Sequence, residues 1–177
     1  LSFRLLISAG FVLTAFFALV AFVLEQGFQE SAEQAVKEKL QVHIYSLISV
    51  AELTEALELN MPATLREPRF SNPGSGLYAT ITQVNNIFVW RSVSAVGMDF
   101  FSSVPLEAGE SVFLKDDQGY FVLRYAVIWE NKAGFEQYYI FTVAEDGLIV
   151  EKQVDSFRVT LRSWLFFTGI LLVLIQF

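Results

Sequence analysis

The chain has 177 residues, 54% of them hydrophobic and 15% aromatic, with no cysteine and a formal net charge of −7. That apolar share exceeds the roughly 45–50% of an ordinary soluble domain, so part of the chain is expected to lie in lipid, and the acidic balance argues against nucleic acid as a partner. Without cysteine there is no disulfide framework, which is compatible with a bacterial periplasm.

Leu5 to Leu24 reads LLISAGFVLTAFFALVAFVL, 20 residues without a charge. As a helix this is about 30 Å long, the thickness of a bilayer core, and predicts a membrane span over residues 1–24. A signal peptide is the alternative, but its apolar region is usually about 7–15 residues and ends at a small-x-small site, which ALVAFVLEQ supplies poorly. Arg4 ahead of the span marks the cytoplasmic side and places the following region, 25–160, outside. Apart from Arg4 the charge lies between this span and the C-terminal apolar stretch, as 11 basic and 19 acidic residues, a net charge of −8. Cations or cationic peptides are electrostatically plausible ligands for such a domain beside anionic lipid; the plainer reading is that the charge keeps it soluble.

From Glu25 to Leu59 there is no proline, and Val36, Leu40, Ile44, Leu47, Ala51 and Leu57 recur at helical spacing. The span is therefore expected to continue outward as one helix over 25–59, polar at first and then carrying a stripe that covers a sheet. The polar turns suit pairing with a second copy or with the C-terminal helix. NMPATLREPRFSNPGSG, residues 60–76, is expected to end the helix, since Pro62, Pro68 and Pro73 remove donors. It lacks the Lys, the Ser/Thr and the flanking strand and helix of a phosphate loop. It reads as a connector tied down by Glu67, Arg69 and Phe70, with a wall of a ligand pocket as a secondary role.

Period-two patterning then predicts a sheet over 77–145. LYATITQ (77–83) and IFVWRS (87–92) flank an Asn85-Asn86 turn as a hairpin, and SVFLKD, YFVLRYAVIWE and FEQYYIFTVAE follow as a meander. Tyr120 to Glu130 is apolar on both faces, which predicts a central strand covered on both sides. From Leu148 the helical period returns, with Val154, Phe157 and Leu161, and runs into WLFFTGILLVLIQF. Residues 161–177 are expected to begin a second span that is cut short, and with no initiating methionine the chain is expected to be part of a longer protein. The fold class expected is α+β: a PAS-like antiparallel sheet of about five strands with a long N-terminal helix, flanked by two transmembrane helices.

Candidate ligand groups are polar side chains expected to point into the concave face of the sheet: Arg124, Tyr78, Arg91, Tyr125 and Tyr138. Arginine grips carboxylates bidentately, and tyrosine joins an apolar body to a polar tip. Arg124, a charge inside the most apolar strand, has a structural alternative, an ion pair with Glu130, Glu136 or a helix carboxylate. His43 is the only histidine and sits on a helix without the motifs of a phosphoacceptor. No catalytic constellation is evident.

FRLLISAG leading the first span, EPRFSNPGSGLYA leading the first strand and WRS in the next resemble the sensor region of PhoQ-like two-component histidine kinases of Gram-negative bacteria. The resemblance covers nearly the whole chain, its sharpest part about a dozen residues. It implies a multi-pass protein of the inner membrane with a periplasmic PAS-like domain, a homodimer, a cytoplasmic kinase that uses ATP beyond this chain, and a response regulator as partner. It also implies a divalent cation as signal. The dense acidic run that serves this in the family is missing, and only the pairs Asp116-Asp117 and Glu145-Asp146 stand as candidate metal ligands. The alternatives are a sensor module of a chemoreceptor or cyclic-dinucleotide enzyme, or a non-signalling envelope protein that binds a partner.

Overall fold

A computed structural model describes residues 2–54, 58–83, 87–98, 106–130, 134 and 136–176. It divides into two compact units, one formed by the terminal segments up to Gln34 and from Leu148 onward, the other by Ala35–Gly147.

The terminal unit is helical. Helix α1 spans Ser2–Val50 and helix α2 spans Leu148–Gln176. Thr14 and Thr168 return their hydroxyls to carbonyls four residues back, Gly10 and Trp164, so neither leaves an unpaired donor on its helix. Within this unit Phe28 stacks on Phe157 at 4.1 Å, and Arg162 Nε donates to Glu25 Oε1 at 3.0 Å. Arg158 Nη2 donates to Gln29 Oε1 at 3.2 Å. The C-terminal helix, one of the two partners expected for the polar turns of α1, thus contacts them.

The second unit holds the sheet. Two short strands, β1 (Glu52–Leu53) and β2 (Leu59–Asn60), pair antiparallel, and a five-stranded antiparallel sheet follows. Its strands are β3 (Leu77–Gln83), β4 (Phe88–Arg91), β5 (Ser111–Lys115), β6 (Tyr120–Glu130) and β7 (Glu136–Asp146), in the spatial order β4-β3-β7-β6-β5. The predicted strands agree with these within about two residues; the Asn85-Asn86 turn lies outside the described residues. Strand β6 is interior and buried on both faces from Phe121 to Arg124, but the middle strand is β7.

The expected helix to Leu59 is a correction: α1 ends at Val50. Its last turn, Ile48-Ser49-Val50, combines two β-branched residues with a serine whose hydroxyl turns back to the Ser46 carbonyl. Thr54 then pairs with Glu58, its amide donating to the Glu58 carbonyl at 2.9 Å and its hydroxyl accepting from the Glu58 amide at 3.1 Å. The prolines of 60–76 therefore shape a connector and do not stop the helix. Val36, Leu40, Ile44 and Leu47 of the predicted stripe are all buried; Ala51 lies past the helix and Leu57 outside the described residues.

Ile44 of this stripe lines a cavity with Leu123 and Tyr125 of β6, on one face of the sheet. Register places Leu77, Glu145 and Phe121 in one cross-strand row, Ala79, Val143 and Leu123 in the next, and Ile81, Phe141 and Tyr125 in the third. Except for Tyr125, every one of these is 5% exposed or less. Trp129 closes the far end of this face with edge contacts to Tyr139 and Phe141.

At the other end the Gly147 amide donates to the Gly119 carbonyl at 3.2 Å, and a Cβ at Gly147 would stand 2.4 Å from that oxygen and 3.2 Å from the Phe121 ring. Two backbones meet there with no room for a methyl group. Gly147→Ala is expected to destabilise the chain by about 1–3 kcal/mol, read as a lower thermal midpoint in detergent; an unchanged midpoint would show that the turn yields freely.

Candidate functional site

Four of the five predicted ligand groups share the sheet face opposite to the Leu77–Phe121 row, and the fifth does not. Register sets Arg91 beside Thr80, Thr80 beside Thr142, Thr142 beside Arg124, and Arg124 beside Val112. Thus Arg91 and Arg124 end one polar row crossing four strands, with two threonines between them. Three interstrand steps of about 4.8 Å put their backbones roughly 14 Å apart. Arg124, Thr142 and Thr80 are 4%, 4% and 5% exposed, a polar band in an otherwise apolar face.

Burial lowers the pKa of the Arg124 guanidinium. The ion pair expected with Glu130 or Glu136 is excluded by distance along the ladder. Those two glutamates face each other at the far end of the β6–β7 hairpin, about 20 Å from Arg124 at roughly 3.3 Å per residue.

The tyrosines divide. Tyr78 is core on the same face, packed with Ala95, Val122 and Ala144 and edge-on to Tyr120 at 5.7 Å. Tyr138 donates its hydroxyl to the Leu106 carbonyl at 2.8 Å. Arg91 lies over the Phe88 ring at 4.1 Å on the edge strand. Tyr125 projects from the other face, where its ring meets Tyr45 edge-on at 6.0 Å and lines a cavity of about 240 Å³.

The acidic pairs have structural partners. Asp116 Oδ1 accepts from the Gln118 and Tyr120 amides at 3.0 and 2.8 Å, closing the β5–β6 turn. The Asp146 amide donates to the Gly76 carbonyl at 2.8 Å, while Asp117 is exposed. Among the described residues no three His, Cys, Asp or Glu side chains gather as a metal site.

Glu145, read from sequence as a candidate metal ligand, instead forms a buried charged centre with Lys39 and Arg69, partners that sequence reading missed. Its Oε1 accepts from Lys39 Nζ at 2.6 Å and from Arg69 Nη1 at 2.8 Å, although Glu145 itself is 5% exposed. Lys39 comes from α1. Arg69 comes from a 3₁₀ turn, Pro68–Ser71, whose first amide bond is to the Glu67 carboxylate at 3.1 Å. Ser75 locks the connector by donating to the Arg69 carbonyl at 2.6 Å, and Gly76, at φ +77°, turns the chain into β3. Glu67, Arg69 and Phe70 thus tie the connector down as expected.

Burial alone would raise the Glu145 carboxyl, but the hydrogen bonds and charges of Lys39 and Arg69 outweigh it and hold the group below its ordinary value. His43, one turn after Lys39, meets the Phe70 ring edge-on at 5.7 Å, and its Nε2 is buried without a hydrogen-bond partner. Burial lowers its pKa, as do Lys39 and Arg69, while Glu67 and Glu145 act in the opposite sense.

Comparison with protein-family models, with curated proteins and with solved structures finds no match.

Two predictions rest on this centre. Glu145→Gln is expected to destabilise the chain by about 3 kcal/mol, the low end for a buried pair because Lys39 is half in solvent; chemical denaturation measures it. His43 is disfavoured as a cation in the folded state, so the unfolded chain binds its proton first. Stability is then complete above about pH 6.5 and falls as pH drops through the depressed value, with Glu145 adding a further loss below its own ordinary range. The thermal midpoint should decline from pH 7 to 5, and His43→Gln should flatten the upper part of that decline; parallel curves would assign the loss to other groups.

Proposed function

We propose that the chain is the input portion of a membrane-bound receptor, with a PAS-like periplasmic domain between two spans of the bacterial inner membrane. The observation that carries this reading is α1. A single 49-residue helix includes a stretch long and apolar enough to cross a membrane and also supplies Leu40, Ile44 and Leu47 to the core of the sheet unit.

The exposure of the apolar ends supports it. Phe11, Phe16, Phe22 and Val23 on α1, and Trp164, Phe166, Phe167 and Leu174 on α2, are all more than half exposed. An unbroken apolar surface of that extent is unfavourable in water and favourable in hydrocarbon. Trp164 at the head of the second stretch suits a headgroup boundary.

The charged centre supplies a means of transmission. Glu145 binds α1 through Lys39 and stands three residues before α2 begins, so a signal that alters the sheet changes a bond between α1 and the strand that leads into α2. In this reading the protein acts as a homodimer, and the output is a histidine kinase that takes ATP and passes phosphate to a response regulator, in line with the resemblance to PhoQ-like sensors. A signal can drive such a switch only if it binds two states unequally.

The absence of cysteine makes the topology testable. A thiol placed by Gln118→Cys in the exposed β5–β6 turn should react with a membrane-impermeant maleimide in spheroplasts, and one placed by Ser2→Cys should react only after permeabilisation. The reverse pattern would overturn the reading, and a reading frame without a kinase core after the second span would assign a different output.

A further inference from the structure

The cavity beside Tyr125 belongs to no role assigned above. Its helical wall is Lys37, Gln41, Ile44 and Tyr45, spaced so that all four fall on one side of α1. Its sheet wall is Leu123 and Tyr125 of β6 with Ser111 of β5 opposite Tyr125 in register. Ile44 and Leu123, 1% and 2% exposed, form an apolar floor.

The rim is made of donors. Gln41 Nε2 donates to the Tyr45 hydroxyl at 2.9 Å, which leaves the Tyr45 proton available to another acceptor. Tyr125 and Ser111 add hydroxyls. Lys37 is half-buried, and among the described residues no carboxylate pairs with it, whereas Lys39, two residues further along the helix, is bound to Glu145. Among the described residues the one charged group lining the cavity is therefore a cation, in a chain whose net charge is −7.

We propose that this cavity binds a small carboxylate with an aromatic body. The volume of about 240 Å³ equals about eight waters of roughly 30 Å³ each and lies below the roughly 300–1,000 Å³ of drug-sized sites. One ammonium and a few hydroxyls match a single carboxylate; a phosphate calls for a denser array of amides or guanidinium groups. The edge-to-face pair Tyr45–Tyr125 offers a ring-sized apolar wall beside those donors. The use of this ligand as a signal rests on the receptor reading; its binding does not.

Binding is measured on the whole chain in nanodiscs by saturation-transfer NMR and thermal shift, with benzoate and phenylacetate as probes and benzamide and benzylamine as their neutral and cationic counterparts. The carboxylates should bind and raise the melting midpoint, and their counterparts should bind at least about tenfold more weakly. Lys37→Met, which keeps the apolar stem and helix propensity, should weaken the carboxylates about 10- to 100-fold. Ser111→Asp, a change at an exposed edge position, should abolish their binding by repulsion. No carboxylate binding at about 10 mM, equal binding of benzylamine, or binding indifferent to both substitutions would overturn the proposal. Maleimide labelling is independent of these measurements, so failure here and failure of the receptor reading are separable.

Discussion

The carboxylate of Glu145 is the constraint on which the sheet unit turns. A charge buried to this degree is strongly unfavourable unless its desolvation is offset. Here two cations offset it, from segments 106 and 76 residues away in sequence. One bond holds α1 against β7, and the other holds the proline-rich connector against the same strand end. An apolar residue in place of Glu145 would tolerate several placements of the connector. A carboxylate that needs both Lys39 and Arg69 tolerates few. His43 adds to this selectivity, because its buried Nε2 suits the neutral imidazole and resists protonation.

Around that centre the two faces of the sheet serve different ends. One carries the buried Leu77, Ala79, Ile81, Phe121, Leu123, Phe141 and Val143, whose removal from water adds hydrophobic stabilisation to this unit. The other carries the Arg91–Thr80–Thr142–Arg124 row amid apolar neighbours. A buried polar row restricts register, since slipping β6 by one residue would bring Arg124 onto the aliphatic face. The cation of the cavity is of another kind: Lys37 has room and donors beside it but, among the described residues, no carboxylate, the condition for recognising an anion.

The helical ends obey a separate rule. Their apolar side chains point outward from both helices, while Glu25, Gln29, Arg158 and Arg162 bond to one another within the same unit. Arg158 and Arg162 thus have glutamate and glutamine as partners. They say little about which side of a membrane they occupy.

The sequence by itself determined the elements whose signal is periodic and local. The uncharged run from Leu5 to Leu24, the Val36-Leu40-Ile44-Leu47 stripe, the strands 77–83 and 120–130, and the return to helix at Leu148 were all legible, because backbone periodicity acts on neighbours. The end of α1 was not, since Ala51 and Leu57 continue the apolar spacing while Thr54 and Glu58 bond to each other. Nor was the placement of β3 between β4 and β7, or the division of five candidate side chains between two faces. Those depend on which strands pair, a matter of contacts between residues far apart in the chain. Glu145 shows the difference most plainly: its sequence neighbours suggested a cation ligand, and only folding brought Lys39 and Arg69 to within hydrogen-bond distance of one oxygen.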